Sequence, residues 1–441
     1  RQMCIRDSDY IIIGAGPGGL GLAYRLKTKD NKIAMIENDK WGGTCPNYGC
    51  DPTKMMMAVI EAKSHVEHLK GQGISGDLKI DWKGLRSRKL NITDPYEKST
   101  FEGLKNADIE TIYGSASFTE QGELQVAGEI YQAKTYIIAT GSRPRRLELD
   151  GDEFLKTSND FLALEELPAK ISFMGSGPIS LELAQIAKAA GSDVTIISRK
   201  KSNVAHFDEE MGQEFINYLK NQGINFIENI SVSKVEKFTD GFLLTDGAGF
   251  EHKTDLVIAG VGRQPNSDQL NLDKVGVETD HKGIKVNDYL QTSNPKIYAM
   301  GDVLSKAEPH LTPVSSFEGN YLGQNLPNAN KVPIHYPQIP TIIFGTAKLA
   351  EVGILTGTGI RTKSLNLKSW YTYKRINDPL AKLKVAINEN QEIVGASTVS
   401  SVADEVINLI SILIQQKMTL ADVEKMIFTY PTVASDLEYF Y

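Results

Sequence analysis

Cysteine is nearly absent from this sequence, which has three cysteines among its 441 residues. A small secreted domain held together by disulfide bonds needs many more, so that class of protein is excluded. Long apolar runs are also missing, since no run approaches the roughly 18 residues that cross a bilayer. Basic residues are not in excess, because the formal net charge is −7. The composition therefore indicates a cytoplasmic protein without a membrane or nucleic-acid partner.

The chain is too long for one hydrophobic core, and its length predicts about three domains. Hydrophobic residues make up 41% and charged residues 23% of it, which is ordinary for a globular protein. The first eight residues, RQMCIRDS, lack the apolar core of a secretory signal. We interpret residues 1–8, with Cys4, as a non-native cloning or assembly scar. Two cysteines, Cys45 and Cys50, then remain to be explained.

A first nucleotide-binding pattern lies in DYIIIGAGPGGLGLAYRL, where a β-branched run is followed by glycines and then by helical periodicity. Gly14, Gly16 and Gly19 fit G-x-G-x-x-G, whose glycines allow a tight turn, the approach of a pyrophosphate and close helix packing. The helix N-terminus then faces the phosphates with its partial positive charge. Glu37 ends the next strand, where a carboxylate can bind ribose hydroxyls. This complete order predicts a dinucleotide site.

The pattern recurs in KISFMGSGPISLELAQIAKAAGSDVTIISRKK. Gly175 and Gly177 fill the first two positions, and Ser180 replaces the third glycine, which predicts slightly looser packing there. The second strand ends in a basic run instead of an acid: Arg199, Lys200 and Lys201. An arginine can bind a 2′-phosphate through two parallel hydrogen bonds, whereas an acid would repel it. This site is therefore predicted to bind NADPH, with a solvated basic turn as the alternative.

Two dinucleotide folds in one chain suggest one cofactor that is held permanently and one that exchanges. YIIATGSRP (136–144) and LVIAGVGRQPN (256–266) are matching strand-to-loop segments, and each closes one nucleotide domain. IYAMGDV (297–303) ends a third strand at Gly301 and Asp302. A carboxylate at that place can bind a ribityl hydroxyl group, which favours a flavin as the permanent cofactor.

Cys45 and Cys50 lie five positions apart in WGGTCPNYGCDPTK, a stretch rich in glycine and proline. Thiol–disulfide exchange needs a thiolate, and the start of a helix favours that form. Zinc is an alternative, since His65 and His68 follow and would complete four ligands. Zinc leaves the glycines and the adjoining nucleotide folds unexplained, and inert core cysteines are a further alternative. The pair is interpreted as redox-active, and no metal site is predicted.

From Asp9 onward the sequence resembles the flavoprotein disulfide reductases, the group of glutathione reductase, dihydrolipoamide dehydrogenase and mercuric reductase. The resemblance rests on GGTC-x4-C-x-PTK and on the ATG and MGD segments. It implies FAD at the first nucleotide site and a redox-active disulfide, with Cys50 as the thiolate beside the flavin and Cys45 as the thiol that attacks substrate. Lys54 resembles the lysine near the flavin, and Glu182 resembles its partner. The remaining implied contacts are Gly43, Thr44, Gly141 and Gly301 for FAD, and Gly262 for NADPH.

The resemblance also implies the architecture, which is an α/β fold with two Rossmann-like dinucleotide-binding domains and an α+β dimerisation domain. The FAD-binding domain is predicted at 9–150 and 267–335, interrupted by an NAD(P)-binding domain at 151–266. An interface domain at 336–441 follows. In this family such a domain builds a homodimer.

The C-terminal motif departs from the family pattern. The family's His-Pro-Thr motif delivers a histidine that takes and returns a proton at the partner's cysteines. Here FTYPTVASD places Tyr430 at the histidine position and Ser435 where an orienting glutamate is expected. An ordinary tyrosine, with a pKa of about 10, is not a base near pH 7. Tyr430 is therefore a candidate hydrogen-bond or proton donor, with interface packing as the alternative. Asp51 is a second departure, since a carboxylate beside Cys50 disfavours a thiolate.

The predicted function is that of an FAD-dependent pyridine nucleotide–disulfide oxidoreductase resembling glutathione reductase. NADPH reduces FAD, FAD reduces the Cys45–Cys50 disulfide, and the dithiol reduces a small disulfide or an oxidant. A dihydrolipoamide dehydrogenase-like enzyme is one alternative, against which Arg199 argues. A mercuric or hypothiocyanite reductase-like enzyme is another. The missing proton relay motivates a third, a catalytically weak flavoprotein that acts as a redox sensor.

Overall fold

The computed structural model describes residues 6–28, 30–201 and 204–441, except for the side chain of Arg6. Cys4 and most of the predicted scar at 1–8 lie outside the described residues. The first strand begins at Arg6, earlier than the start of the fold predicted at residue 9. Residues 7 and 8 pair in register with a neighbouring strand.

The secondary structure is mixed throughout the described residues. The strands are β1 (Arg6–Ile13), β2 (Ile33–Glu37), β3 (Glu110–Tyr113), β4 (Ala116–Phe118), β5 (Leu124–Val126), β6 (Glu129–Ile138), β7 (Ser142–Pro144), β8 (Lys170–Met174), β9 (Asp193–Ser198), β10 (Asn225–Glu228), β11 (Lys234–Phe238), β12 (Gly241–Thr245), β13 (Glu251–Thr254), β14 (Leu256–Ala259), β15 (Arg263–Pro265), β16 (Thr279–Asp280), β17 (Gly283–Ile284), β18 (Ile297–Ala299), β19 (Thr341–Ile343), β20 (Lys348–Gly353), β21 (Arg361–Asn366), β22 (Lys382–Ile387) and β23 (Ile393–Ser400). The α-helices are α1 (Pro17–Leu26), α2 (Thr44–Tyr48), α3 (Cys50–His68), α4 (Trp82–Asn106), α5 (Ser158–Ala163), α6 (Pro178–Ala189), α7 (Glu209–Asn221), α8 (Thr312–Asn325), α9 (Tyr371–Lys374), α10 (Ala403–Gln415) and α11 (Leu420–Val423). Short 3₁₀ helices lie at Asp152–Phe154, Leu272–Val275, Gly301–Val303 and Val433–Tyr439.

The chain forms two compact units, each assembled from separate segments. Unit 1 comprises Arg1–Pro52, Lys89–Arg145 and Gly262–Tyr336. Unit 2 comprises Thr53–Arg88, Arg146–Val261 and Pro337–Tyr441. The segments predicted as NAD(P)-binding and interface domains thus fall mainly in unit 2, and the segments predicted as the FAD-binding domain fall mainly in unit 1.

Unit 1 is built on a largely parallel sheet in the order β3–β2–β1–β6–β5–β4, with β18 also paired to β6. Strands β1, β2, β3, β6 and β18 are parallel, and β4 and β5 are antiparallel to their neighbours. Ile11 and Ile12 of β1 are completely buried, because a parallel sheet of this kind is covered on both faces. Helix α1 crosses from β1 to β2. It approaches α8 so closely that a side chain at Gly319 would come within 2.7 Å of the Gly18 carbonyl oxygen.

Unit 2 contains a parallel sheet, β10–β9–β8–β14, in which α6 crosses from β8 to β9. A small antiparallel sheet, β11–β12–β13, shares a hydrophobic cluster with it. The C-terminal sheet has the order β19–β20–β23–β22–β21 and is antiparallel. The apolar face of α10 packs against β20 and β23. The predicted α/β class, with two βαβ folds and a C-terminal α+β region, is confirmed.

Ion pairs anchor α7 to the C-terminal sheet within unit 2. Lys384 of β22 lies 2.9 Å from carboxylate oxygens of both Asp208 and Glu210. Asp208 also accepts a hydrogen bond from Met211 N, which caps the helix. Its own backbone N donates to Glu351 of β20 at 2.6 Å. The helix that follows the second βαβ fold is therefore held on the sheet of the C-terminal region.

Candidate active site

The two cysteines lie at the N-termini of successive helices. Cys45 is the second residue of α2, and Cys50 is the first residue of α3. Both are thiols, with Cys45 half-buried and Cys50 exposed. Gly43 caps α2 with a φ of 69°, and a side chain there would lie 2.5 Å from Gly16 Cα. Glycine at this position lets the cysteine segment rest against the glycine turn of the first βαβ fold.

Within this pair the pKa of the Cys45 thiol is raised above its ordinary value. A hydrogen bond with Cys50, burial, and the charges of Cys50 and Asp51 raise the pKa of the Cys45 thiol, although a hydrogen bond with Thr312 lowers it. Cys50 Sγ lies 3.5 Å from Thr312 Oγ1. Thr312 begins α8, whose N-terminus carries a partial positive charge. The raised pKa of Cys45 and the helix N-terminus beside Cys50 both favour Cys50 as the thiolate of the pair.

The glycine turn predicted to hold a pyrophosphate connects β1 and α1. A side chain at Gly14 would lie 2.3 Å from the Ala139 carbonyl oxygen, and one at Gly19 would lie 2.2 Å from the Gly14 carbonyl oxygen. Gly16 differs from both, because an added Cβ would meet its nearest neighbour, Gly43 Cα, only at 4.0 Å. The backbone at Gly16 is thus open to the approach of a phosphate group, as the motif requires.

Glu37 is placed at the end of β2 as the sequence predicted. One carboxylate oxygen accepts from Ala15 N at 2.9 Å, and the other accepts from the backbone N of Asn38 at 2.9 Å and of Asp39 at 3.0 Å. Burial raises the pKa of Glu37, and these three hydrogen bonds lower it. A carboxylate has about four acceptor positions, so the fixed group retains capacity for a ribose hydroxyl.

Asp302 belongs to a hydrogen-bonded chain that sequence analysis missed. Ser142 Oγ donates to Asp302 Oδ2 at 3.2 Å, and Arg263 Nε donates to Ser142 Oγ at 2.9 Å. Burial lowers the pKa of Arg263, while Asp302 and Cys50 raise it. The sequence signal was the likeness of 136–144 and 256–266, since their last residues pair as β7 and β15.

Three further predicted cofactor residues are partly or fully exposed: Gly141, Gly262 and Thr44. Gly141 and Gly262 have φ values of 67° and 107°, and a Cβ at either would meet no atom within 4 Å. Thr44 is exposed at the start of α2. Gly262 belongs to unit 1, whereas the other predicted NADPH residues belong to unit 2. The residues of unit 1 fit a flavin dinucleotide, because they combine an open glycine turn, a fixed ribose acceptor and Asp302.

A buried ion pair between Glu318 and Lys306 holds the backbone at Gly301, next to Asp302. Glu318 is 0% exposed and accepts a hydrogen bond from Gly301 N at 2.6 Å. Its other oxygen lies 2.5 Å from Lys306 Nζ and accepts from Tyr336 OH at 2.7 Å. This charge is fully paired, as burial demands. Sequence analysis did not single out Glu318, because its partners are distant in the chain.

Lys54 and Glu182 are brought together as predicted. Lys54 Nζ lies 2.5 Å from Glu182 Oε2, with the glutamate side chain 10% exposed and the lysine side chain 35% exposed. Glu182 Oε1 accepts from Phe344 N at 3.0 Å, and Lys54 Nζ also lies 4.6 Å from the centre of the Phe344 ring. Phe344 therefore contacts both members of the ion pair.

Gln185, one turn after Glu182 on α6, forms hydrogen bonds with the backbone of the segment that contains Phe344. Its side-chain N donates to Phe344 O at 3.2 Å, and its side-chain O accepts from Thr346 N at 3.1 Å. Gly345 makes room for it, because a Cβ there would lie 2.2 Å from Gln185 Oε1. Sequence analysis missed Gln185, since no local pattern marks its distant partners.

The second βαβ fold carries the predicted NADPH residues. Gly177 caps α6, and a side chain at Gly175 would lie 2.5 Å from the Gly260 carbonyl oxygen. The looser packing expected at Ser180 is wrong. Ser180 is 1% exposed, and its hydroxyl fills the space in which a Cβ at Gly260 would lie, 2.0 Å from Ser180 Oγ. The basic side chains follow β9 and are exposed: Arg199, Lys200 and Lys201.

Tyr430 is 68% exposed and precedes a cis peptide bond to Pro431. Its ring stacks on that of Tyr371, with centroids 6.1 Å apart and an interplanar angle of 16°. Ser435 Oγ donates to Thr432 O at 2.7 Å. Thr432 is the residue that caps the last 3₁₀ helix, so the Ser435 hydroxyl binds the backbone of this cap.

The zinc alternative is not supported by the arrangement of its four residues. Cys50 begins α3, and His65 and His68 lie in the last turn of that 19-residue helix. The described residues hold no group of three or more His, Cys, Asp and Glu side chains placed to bind a metal ion.

Across residues 6–28, 30–201 and 204–441, no helix has the length and apolar character needed to cross a bilayer.

Comparison with known proteins gives two matches that together span most of the chain. Residues 8–319 match the family described as pyridine nucleotide-disulphide oxidoreductase, and residues 339–439 match its dimerisation domain. Similar proteins include mercuric reductase of Staphylococcus aureus, 30% identical over 450 residues, and glutathione reductase of Burkholderia cepacia, 30% identical over 445 residues. These alignments cover 98% of this chain in both cases, and 82% and 97% of the relatives. Dihydrolipoyl dehydrogenase of Mycoplasma genitalium is also 30% identical, over 444 residues, with 97% of this chain and 96% of the relative covered.

The fold is similar to a solved structure of the HOCl-induced flavoprotein disulfide reductase RclA from Escherichia coli. The TM-score is 0.88, and 98% of this chain and 99% of that chain are covered at 24% identity. A Cu(II) complex of that protein gives a TM-score of 0.89, with 99% of both chains covered at 23% identity. At these identities the likeness shows the fold.

Proposed function

The chain belongs to the pyridine nucleotide-disulphide oxidoreductase family, and from this premise we propose that it passes electrons from NADPH through FAD and the Cys45–Cys50 pair to a small disulfide or oxidant. Membership establishes an FAD-dependent oxidoreductase that uses a pyridine nucleotide and acts through a redox-active disulfide. The choice of NADPH, the acceptor and the roles of single residues are the proposal.

The observation that carries the proposal is the position of the dithiol: Cys45 and Cys50 lie at the starts of successive helices, and Cys50 Sγ lies 3.5 Å from Thr312 Oγ1. The raised pKa of Cys45 favours its protonated form. FAD, when bound, supplies the two electrons that reduce the disulfide. We assign to Cys50 the exchange of electrons with the flavin and to Cys45 the attack on substrate, which are the roles that the family resemblance implies; Cys45 has to lose its proton as it attacks. Gly43 holds this segment against Gly16 of the FAD-binding turn.

The experiment is a two-stage titration under anaerobic conditions. The purified protein is expected to be yellow, with one FAD per chain, and NADPH is expected to reduce it. A panel of disulfides, quinones and small oxidants is then added to the reduced enzyme. Reoxidation by a disulfide, with the flavin spectrum restored, supports the proposal. A protein that cannot be loaded with FAD, or that NADPH does not reduce, contradicts it.

Lys54 and Glu182 are proposed to support electron transfer at the flavin. The 2.5 Å ion pair fixes a cation whose position depends on Glu182, and Glu182 is itself fixed by Phe344 N. A preorganised charge of this kind stabilises charge that develops on a reacting group. Replacing Glu182 with Gln would leave the hydrogen bond from Phe344 and weaken only the electrostatic part.

NADPH is proposed as the preferred nucleotide because the end of β9 is basic. Arg199 and Lys200 are exposed there, where a 2′-phosphate would bring two negative charges near them. Arg199 can form two parallel, charge-assisted hydrogen bonds to a phosphate. Gly175 and Gly177 would receive the pyrophosphate at the start of α6.

The assembly is proposed as a homodimer formed through residues 336–441, in the cytoplasm. The match of 339–439 to a dimerisation domain supports this. The proposed domain division keeps the FAD-binding segments at 9–150 and 267–335 and the NAD(P)-binding segment at 151–266. A sedimentation measurement that found only monomers at micromolar concentration would contradict the dimer.

The acceptor is proposed to be a small disulfide such as glutathione disulfide, or a small oxidant. Glutathione reductase and mercuric reductase are similar to this chain at the same 30% identity, so identity favours neither class of acceptor. Tyr430, with a hydroxyl and a largely exposed ring, stands at the position of the family's histidine and is a candidate hydrogen-bond or proton donor, with interface packing as the alternative. Steady NADPH turnover with any acceptor would exclude the alternative of a weakly active redox sensor.

A further inference from the structure

Asp51 places a carboxylate next to Cys45, the half-buried thiol of the cysteine pair. Cys45 Sγ lies 4.0 Å from Asp51 Oδ1, to which it donates. Gly49 is the single residue between α2 and α3, and an added Cβ there would lie 3.4 Å from Cys45 Cα. This close connection brings Cys45, the second residue of α2, near Asp51, the second residue of α3.

The electrostatics of the two groups are coupled. Burial raises the pKa of Asp51, and Asp51 is one of the charges that raise the pKa of Cys45. Arg263 also interacts electrostatically with the dithiol, through Cys50. An aspartate with a raised pKa is a better proton donor and acceptor near neutral pH than an ordinary one.

We propose that Asp51 is the general base and acid for Cys45 during dithiol–disulfide exchange. The role falls to this chain's own cysteine segment, so it requires no histidine at position 430. The assignment rests on the proposed function, in which the dithiol reduces a small disulfide. A separation of 4.0 Å exceeds the roughly 2.6–3.2 Å of direct proton transfer, so the proton moves after a small approach or through one water.

The reaction starts from a Cys45 thiol and a Cys50 thiolate. As Cys45 Sγ attacks one sulfur of a disulfide R–S–S–R, its proton passes to Asp51, a Cys45–S–R bond forms and the substrate S–S bond breaks. The departing thiolate takes the proton from Asp51 and leaves as R–SH. Cys50 then attacks Cys45 in the mixed disulfide, which forms the Cys45–Cys50 disulfide and expels R–S⁻. The substrate is reduced by two electrons, the dithiol is oxidised, and the charge is unchanged.

The first test follows reoxidation of the reduced holoenzyme by glutathione disulfide in a stopped-flow instrument. Asp51→Asn preserves the shape of the side chain, and Asp152→Asn, at an exposed position of unit 2, is the control for the loss of one charge. We expect reoxidation to slow by about 10²–10⁴-fold in Asp51→Asn and to be unchanged in Asp152→Asn. The FAD content and the circular dichroism spectra of both variants should match those of the wild type and so verify that they are folded.

A second measurement is the pH dependence of the same reoxidation. If Asp51 takes the Cys45 proton, the rate with glutathione disulfide should follow the ionisation of Asp51 in the wild type, and this part of the pH profile should be absent in Asp51→Asn. A purely structural role would lower the rate by the same factor at every pH.

The leaving group supplies the third arm. An aromatic disulfide releases a weakly basic thiolate that needs little protonation, so the slowing in Asp51→Asn should shrink with 5,5′-dithiobis(2-nitrobenzoate). Equal reoxidation of wild type and Asp51→Asn by glutathione disulfide would overturn the role of Asp51, and so would a slowing by the same factor at every pH. A reduced wild-type enzyme that no disulfide reoxidises would instead overturn the proposed function.

Discussion

Replacing Gly345 with Ala should loosen the backbone segment that holds Glu182. The added Cβ would lie 2.2 Å from Gln185 Oε1 and 2.4 Å from Gln185 Nε2, so the amide has to move. Gln185 is 4% exposed, and its amide bonds Phe344 O and Thr346 N. Moving it breaks both hydrogen bonds. At a net 0.5–1.5 kcal/mol for each bond, the expected loss of stability is about 1–3 kcal/mol.

A double-mutant cycle can assign this loss to the clamp, by which we mean the two hydrogen bonds that join the Gln185 amide to Phe344 O and Thr346 N. Gly345→Ala and Gln185→Ala remove the same two hydrogen bonds, so their effects should not add, and the coupling energy should be about 1–3 kcal/mol. The measurement is urea unfolding followed by tryptophan fluorescence. Gly21→Ala is the control, because an added Cβ there meets nothing within 4 Å in α1, and it should stabilise the protein by about 0.5–1 kcal/mol.

The same variants connect the clamp to the Lys54–Glu182 pair. If Gln185 acts by fixing Phe344, whose N holds Glu182, then Gly345→Ala should slow reduction of the flavin by NADPH in a Glu182 background. It should have no further effect in a Glu182→Gln background. Additive effects of Gly345→Ala and Gln185→Ala on stability would refute the clamp. A full effect on reduction in Glu182→Gln would refute its link to the ion pair.

The remaining predictions concern the cofactors and the proton donor. Arg199→Ala should lower kcat/KM for NADPH by about ten- to a hundredfold, since a charge-assisted pair contributes about 1.5–3 kcal/mol; equal values for NADPH and NADH in the wild type would contradict this. Cys45→Ser should retain a Cys50 thiolate and show a long-wavelength absorbance band with oxidised flavin, whereas Cys50→Ser should show none. The reverse pattern would exchange the two roles. Tyr430→Phe should leave reduction by NADPH unchanged; if it also abolishes efficient turnover of glutathione disulfide, then the tyrosine is the working acid and Asp51 is not sufficient.

The parts of the site that could be predicted are those in which chemistry is local in the sequence. Gly14, Gly16 and Gly19 bend one short turn, and Glu37 follows from the length of one βαβ fold, so spacing alone locates them. Lys54 and Glu182 were paired only through the family resemblance, because no spacing rule joins residues so far apart. The structure then brings Lys54 Nζ and Glu182 Oε2 within 2.5 Å.

The parts that could not be predicted depend on partners from distant segments. Ser142 reaches Arg263 only because β7 and β15 pair, and Gln185 grips Phe344 only because α6 contacts the segment after β19. The looser packing expected at Ser180 was wrong for the same reason. The helix and strand of the motif do not reveal Gly260, at the end of β14, which leaves the space that the Ser180 hydroxyl fills.

The fit of Ser180 against Gly260 makes these two positions depend on each other. A hydroxyl at 180 occupies the volume that a methyl group at 260 would need, so in related chains the two should vary as a pair. Alanine at 260 should therefore be found with glycine at 180, whereas with serine at 180 the hydroxyl would have to move. The third position of a dinucleotide motif therefore cannot be judged alone, since a residue some eighty positions later decides whether a departure from glycine is tolerated. An engineer who grafts this βαβ fold onto another scaffold has to transfer the end of β14 with it.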